Sequence, residues 1–178
     1  MSNYIRSKEG EGCYFITFNL EERKNTTLLI DNIQLLRNAV KYTLKKWPFK
    51  IEGIVVLPDH VHILIRLSNQ QSDYSKIIRS IKDQFSRNLK AAETISSVRR
   101  ARKERGIWQR RFWEHTIVGQ NDFNKHMDYI HWNPVKHGYV KSVKEWPHSS
   151  FHHLVEKGVY TLNWGLDVES TISGSMFD

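Results

Sequence analysis

A single cysteine, Cys13, rules out an intramolecular disulfide and a cysteine zinc cluster, and it fits a reducing compartment as a buried strand residue. Long apolar runs are absent as well: none approaches the roughly 20 residues that span a bilayer. The opening MSNYIRSKEG lacks the apolar stretch of a signal peptide, so a cytoplasmic protein is expected. Proline and glycine form no linker and no internal repeat is visible, which leaves the 178 residues reading as one domain, 1–178. Acid is scarce relative to base. Nineteen Asp and Glu face twenty-seven Lys and Arg, giving a formal charge of +8 and a pI near 9.6, which favours a polyanionic partner. What is not scarce is apolar and aromatic side chain. A chain that is 39% hydrophobic and 12% aromatic is not of disordered composition, and its six Trp, seven Tyr and eight Phe can stack on unpaired bases. Nucleic acid leads the partner classes, and no membrane partner is expected.

The order of elements follows from periodicity. Residues 13–20 (CYFITFNL) are aromatic and β-branched and read as a strand. Over Leu28–Trp47, Leu29, Ile33, Leu36, Val40 and Leu44 recur at helical spacing before Pro48, which predicts one amphipathic helix. Residues 50–57 and 60–67 read as two antiparallel strands joined at Pro58-Asp59. Ser72 or Asp73 can cap a second helix carrying Tyr74, Ile77, Ile78, Ile81, Phe85 and Leu89, and residues 112–118 (FWEHTIV) supply a further strand. That order is βαββαβ, the pattern of a ferredoxin-like α+β sandwich with an antiparallel sheet. An added helix follows, capped by Asn121 and stopped by Pro134, and a C-terminal extension from about 147 carries a short helix near 147–156. The basic stretch RRARKER lies in an expected surface insertion near 93–106, whose five Lys and Arg cannot be buried unpaired.

Two constellations can carry chemistry. In His60-Val61-His62, the strand period of two puts both imidazoles on one face, where neutral rings can chelate a divalent ion; taken alone, HxH is more often polar surface. On the added helix, Lys125, His126, Tyr129 and Asn133 share one face, with Phe123, Met127 and Ile130 on the opposite, buried face. A tyrosine so placed is ordinarily interfacial. For binding, the block from Trp108 to Trp113 mixes Arg110 and Arg111 with flat rings suited to phosphates and splayed bases, and alternation turns only one of Phe112 and Trp113 inward. Lys136, His137 and Lys141 can hold a DNA backbone, although scattered basic residues usually form a solvated face.

Together, LPDHVHILI, WQRRFWEHTI, MDYIHWNPVKHGYV and EWPHSSFH resemble the REP-associated tyrosine transposases, with the HUH motif of single-tyrosine endonucleases; the similarity runs from about Tyr14 to Trp164. The resemblance implies metal binding by His60 and His62, nucleophilic attack by Tyr129, and a third ligand one turn later, Asn133, where related transposases often have glutamine. It further implies a bacterial, nucleoid-associated protein that uses a divalent cation, Mg²⁺ or Mn²⁺, and cuts single-stranded or hairpin DNA of REP type through a 5′-phosphotyrosine. Monomer and homodimer are both left open.

Chemistry makes the implied tyrosine reasonable. Cutting DNA while conserving bond energy needs a covalent protein–DNA intermediate. A phenol of pKa roughly 10 leaves more readily than an alkoxide, so a DNA 3′-hydroxyl can re-form the phosphodiester. Lys125, one turn before Tyr129, is a nearby cation able to favour its phenolate. Two rival readings remain: a non-catalytic hairpin-binding protein on the same fold, and a zinc hydrolase that activates water and has no use for Tyr129.

Overall fold

The computed structural model describes residues 11–68, 73–90 and 105–166. Most of the expected basic insertion near 93–106 therefore lies outside the described residues. Four strands, β1 (Glu11–Asn19), β2 (Phe49–Val56), β3 (His60–Ser68) and β4 (Trp113–Thr116), pair antiparallel in the order β2-β3-β1-β4. This is the ferredoxin-like α+β sandwich read from the chain. The connection between β2 and β3 turns tightly at Pro58-Asp59, closed by Leu57 N–H donating to the His60 carbonyl at 2.9 Å.

Strand alternation divides the core into two layers. On one face Tyr14, Ile16 and Phe18 of β1 and Val61, Ile63 and Ile65 of β3 are buried against helices α2 (Ile33–Lys46) and α3 (Tyr74–Asn88). The odd-numbered residues Cys13 and Phe15, with Val55, Leu57 and Leu64, face the other way, onto Met127 and Ile130 of the long helix α4 (Gly119–Lys136). His60 and His62 share this second face by the same parity.

The helix expected over 28–47 is broken into α1 (Leu28–Asp31) and α2. Asn32 interrupts it: its side-chain amide donates to the Leu28 carbonyl at 2.9 Å, offering the backbone a local partner outside the regular ladder. The buried stripe of α2 is Leu36, Ala39 and Thr43, while Leu44, expected in the core, is exposed. Thr43 tolerates burial because its hydroxyl bonds the Ala39 carbonyl and Ser80 Oγ, both at 2.9 Å. Asp73 caps α3, accepting from Ser75 N–H at 2.7 Å. At the other end Arg105 donates to the Ser86, Leu89 and Lys90 carbonyls, so one guanidinium satisfies several terminal acceptors of α3.

Three further expectations need correction. The strand over 112–118 shortens to Trp113–Thr116. Asn121 does not cap α4; the helix starts earlier, at Gly119 (φ 79°), and Asp122 accepts from Val118 N–H at 2.8 Å. Pro134 does not stop the helix, which runs on to Lys136. In the last turn a proline forfeits a single ladder bond, and burial of Trp132, Asn133 and Pro134 holds the turn together. Close seating of α4 on β2 depends on Gly53, where a Cβ would lie 2.7 Å from Met127 Sδ.

Beyond α4, a 3-10 turn (Val143–Glu145) and helix α5 (Phe151–Glu156) pack Val143 and Phe151 on Trp132, with Tyr160 and Trp164 against them. Between these elements the chain lies along β2: Val56 N–H donates to the His148 carbonyl and Ser150 N–H to the Ile54 carbonyl, each at 2.8 Å.

Candidate active site

Register explains the first part of the site. Thr17 of β1 stands opposite His62 of β3, and its hydroxyl bonds His62 Nδ1 at 2.7 Å. His60 Nδ1 is 2.6 Å from Asp59 Oδ1, and the other carboxylate oxygen of Asp59 accepts from Arg23 Nε at 2.6 Å. With Nδ1 of each ring engaged in this way, the two Nε2 atoms are the ones left for a ligand. The rings lie 4.8 Å apart, both buried.

The face of α4 that carries Tyr129 and Asn133 turns toward the sheet. His126, Met127, Ile130 and Asn133 are all buried, so the face read from sequence as polar is largely covered, and Phe123 is only half-buried. The Tyr129 ring packs edge-on to His62 at 5.3 Å and to Phe15 at 5.9 Å. Asn133 neighbours His62 and is fully buried. His137, just past the helix end, packs against His60 at 5.3 Å, and Lys136 Nζ sits 5.3 Å from the Tyr129 ring centre. Lys125 is exposed, and the cation at that ring is Lys136. Arg110 and Arg111 are exposed; Phe112 packs against the core and Trp113 is the outward member of the pair, 47% exposed, edge-on to Phe15 at 5.7 Å.

The surroundings disfavour the charged forms of His62 and His137. Burial lowers the His62 pKa well below the usual 6.5, and the neighbouring His60 and His137 add to this, outweighing Asn133, which acts in the opposite direction. Burial and His60 lower His137 too. Asp59 is the counterpart: burial by itself would raise its carboxyl, but hydrogen bonds and charge from His60 and Arg23 outweigh it and hold it well below the usual carboxylate range.

A metal is compatible with these residues. His62 Nε2 and both polar atoms of the Asn133 side chain are buried with no hydrogen-bond partner. Leaving such groups unsatisfied ordinarily costs about 1–3 kcal/mol each, a cost that a ligand engaging them would offset. One imidazole nitrogen from each of two histidines and one amide oxygen form a mixed N and O donor set of the sort first-row divalent ions accept.

Sequence reading missed Thr17, Asp59 and Phe15. Asp59 stood in the quoted LPDHVHILI but was taken only as a turn residue, and Thr17 becomes visible once the β1–β3 register is known.

Comparison with known proteins gives the family. The family described as "Transposase IS200 like" matches residues 13–133. An Escherichia coli K12 protein named REP-associated tyrosine transposase is 40% identical over 174 residues, covering 98% of this chain and 97% of its own. A Haemophilus influenzae protein provisionally given the same name is 43% identical over 177 residues, covering 99% of this chain and 100% of its own. A solved REP-associated tyrosine transposase, bound to a REP hairpin, superposes with a TM-score of 0.80 at 38% identity, covering 100% of this chain and 99% of the other. With full-length identity of this order, a matching family pattern and the same fold, the chain belongs to the REP-associated tyrosine transposases of the IS200-like transposase family.

Proposed function

We propose that this chain is a metal-dependent endonuclease and strand-transferase for REP-type DNA hairpins with single-stranded flanks, using Tyr129 as nucleophile. The observation that carries the reading is the convergence of Tyr129, His60, His62 and Asn133 on one side of the sheet, around buried polar atoms that lack partners. The hairpin in the related solved structure supports the choice of substrate.

The phenol oxygen of Tyr129 attacks the scissile phosphorus. A new O–P bond forms, the bond from phosphorus to the 3′-oxygen breaks, and the phenol proton is given up while the departing oxygen takes one from solvent. The products are a 5′-phosphotyrosine and a free 3′-hydroxyl, and attack by a 3′-hydroxyl reverses the step. Phe15 and His62 hold the Tyr129 ring edge-on. Lys136 and Lys125 bring positive charge to the nucleophile's side of the helix, which favours the approach of DNA. His60, His62 and Asn133 would hold the divalent ion, Mg²⁺ or Mn²⁺, which when bound supplies Lewis-acid polarisation of a phosphoryl oxygen. Arg110, Arg111 and His137 contact phosphates, and the outward Trp113 stacks on an unpaired base. A bacterial cytoplasmic location follows from this substrate.

The test is a labelled REP hairpin incubated with the protein and Mn²⁺ and resolved on a denaturing gel, with peptide mapping of any adduct. Tyr129→Phe keeps the ring, so hairpin affinity should survive while cleavage and adduct vanish. Cleavage by Tyr129→Phe, or DNA joined to another residue, would refute the tyrosine mechanism.

A further inference from the structure

A second group of ligating side chains lies beside the tyrosine and is not used by the mechanism above. His115 of β4 and Asp122 and His126 of α4 each offer a ligand atom, and these atoms all lie within 4.8 Å of one another. His115 Nε2 is 2.9 Å from Asp122 Oδ2, and His126 Nδ1 is 3.0 Å from Asp122 Oδ1. The two imidazoles stack nearly parallel, 4.7 Å apart at 14°, so both direct a nitrogen toward one carboxylate. Asp122 and His126 are four residues apart on a helix and therefore share its face, and His115 comes from the strand beneath. Both elements are regular, which fixes the ligand directions better than a loop would.

We propose that His115, Asp122 and His126 form a second metal site, selective for a borderline transition ion such as Zn²⁺ or Co²⁺. Two imidazoles with one carboxylate are a ligand set that zinc takes, leaving a position for water, whereas Mg²⁺ prefers oxygen. Access is open on one side, because the His115 side chain is 37% exposed, while His126 anchors the other side in the core. Binding would take the place of the hydrogen bond between His126 Nδ1 and the Asp122 carbonyl, 2.8 Å long, and release the proton that the nitrogen carries there. The site is separate from the His60 and His62 pair: the Phe15 ring stands between them, 4.8 Å from His126 and 5.5 Å from His62. Its effect would be to tie the first turns of α4 to β4, three residues before Tyr129, and so to hold the nucleophile's helix against the sheet. This assignment does not depend on the cleavage reaction, and its test uses no DNA.

The experiment is Co²⁺ titration of the full chain, followed by its visible d–d absorption and by equilibrium dialysis. The wild type should bind two ions per chain, and His115→Ala or Asp122→Asn should bind one. In a His60→Ala/His62→Ala background one ion should remain, and adding His115→Ala should abolish it. Circular dichroism checks that each variant is folded. Zn²⁺ should raise the Tm of the wild type and of the background variant, with the rise lost from the background variant when His115→Ala is added. The inference is overturned if the background variant binds no Co²⁺, or if His115→Ala and Asp122→Asn leave stoichiometry and spectrum unchanged, in which case the three side chains form only a hydrogen-bonded clamp.

Discussion

Replacing Asp59 with asparagine should weaken metal-dependent cleavage without touching any proposed ligand. The Asp59 carboxylate is engaged at both oxygens, by His60 Nδ1 and by Arg23 Nε, each at 2.6 Å. In Asp59→Asn one of these acceptors becomes an N–H₂ donor facing another donor, so either His60 loses its orienting partner or Arg23 does. To hold a metal as proposed, His60 would have to present Nε2 as a lone pair, and a carboxylate accepting from Nδ1–H is a device that ensures it. Loss of such an orienting partner typically lowers metal affinity or activity about 10- to 100-fold. At about 1.4 kcal/mol per tenfold, that corresponds to about 1.4–2.8 kcal/mol of lost interaction. The assay is the Mn²⁺ dependence of single-turnover hairpin cleavage, with hairpin affinity measured in parallel as a control. The expected outcome is a right-shifted Mn²⁺ curve at unchanged affinity. An Asn variant with the wild-type Mn²⁺ curve would refute the idea that Asp59 orients His60, and lost hairpin affinity would move its role to DNA binding.

Thr17→Val removes the partner of His62 Nδ1 at nearly constant volume, so cleavage should fall about tenfold or more by the same orienting logic; equal rates for mutant and wild type would contradict it. Asn133→Ala should reduce Mn²⁺ affinity less than His62→Ala does, as isothermal titration can establish, and unchanged affinity would remove Asn133 from the metal's ligands. Burial lowers His131 to about 4 from the usual 6.5, so below 6.5 the unfolded chain binds a proton that the folded chain refuses. Stability should therefore decline as pH falls from 6.5 towards 4, and urea midpoints that stay level across that window would oppose this. Gly165→Ala places a Cβ 3.1 Å from Trp132 and Val143 at a φ of 93°, and should cost roughly 1–3 kcal/mol in denaturant unfolding; a neutral substitution would show that the C-terminal turn yields easily.

The parity of the strands was legible because alternation is a local rule. It placed His60 and His62 on one face, but the helix that covers that face, α4, comes after the βαββαβ elements and is not dictated by their order. Helix boundaries were less legible. Asn32 breaks a helix by a side-chain bond that apolar spacing does not register, and Pro134 stays within one because packing of its neighbours outweighs a single lost bond. The orientation of α4 about its axis was also misjudged. Phe123, Met127 and Ile130 read as the buried face in sequence, but Phe123 is only half-buried and the helix sits low enough, over Gly53, to bury His126 and Asn133 as well. Thr17 and Asp59 depend on register and turn geometry that link positions far apart in the chain.

The segment at 148–150 that lies along β2 has a consequence for how the molecule behaves in a crowded solution. A sheet of four strands has two open edges, and an open edge is a template on which a second chain can add a strand. One edge here is β4, only four residues long, and the other is β2, whose Val56 N–H and Ile54 carbonyl are already occupied by His148 and Ser150. The C-terminal region thus acts as a guard against edge-to-edge self-association. Truncation before His148 would free that edge, and the shortened chain would tend toward oligomers and fibrous aggregates even where its catalytic side chains were intact.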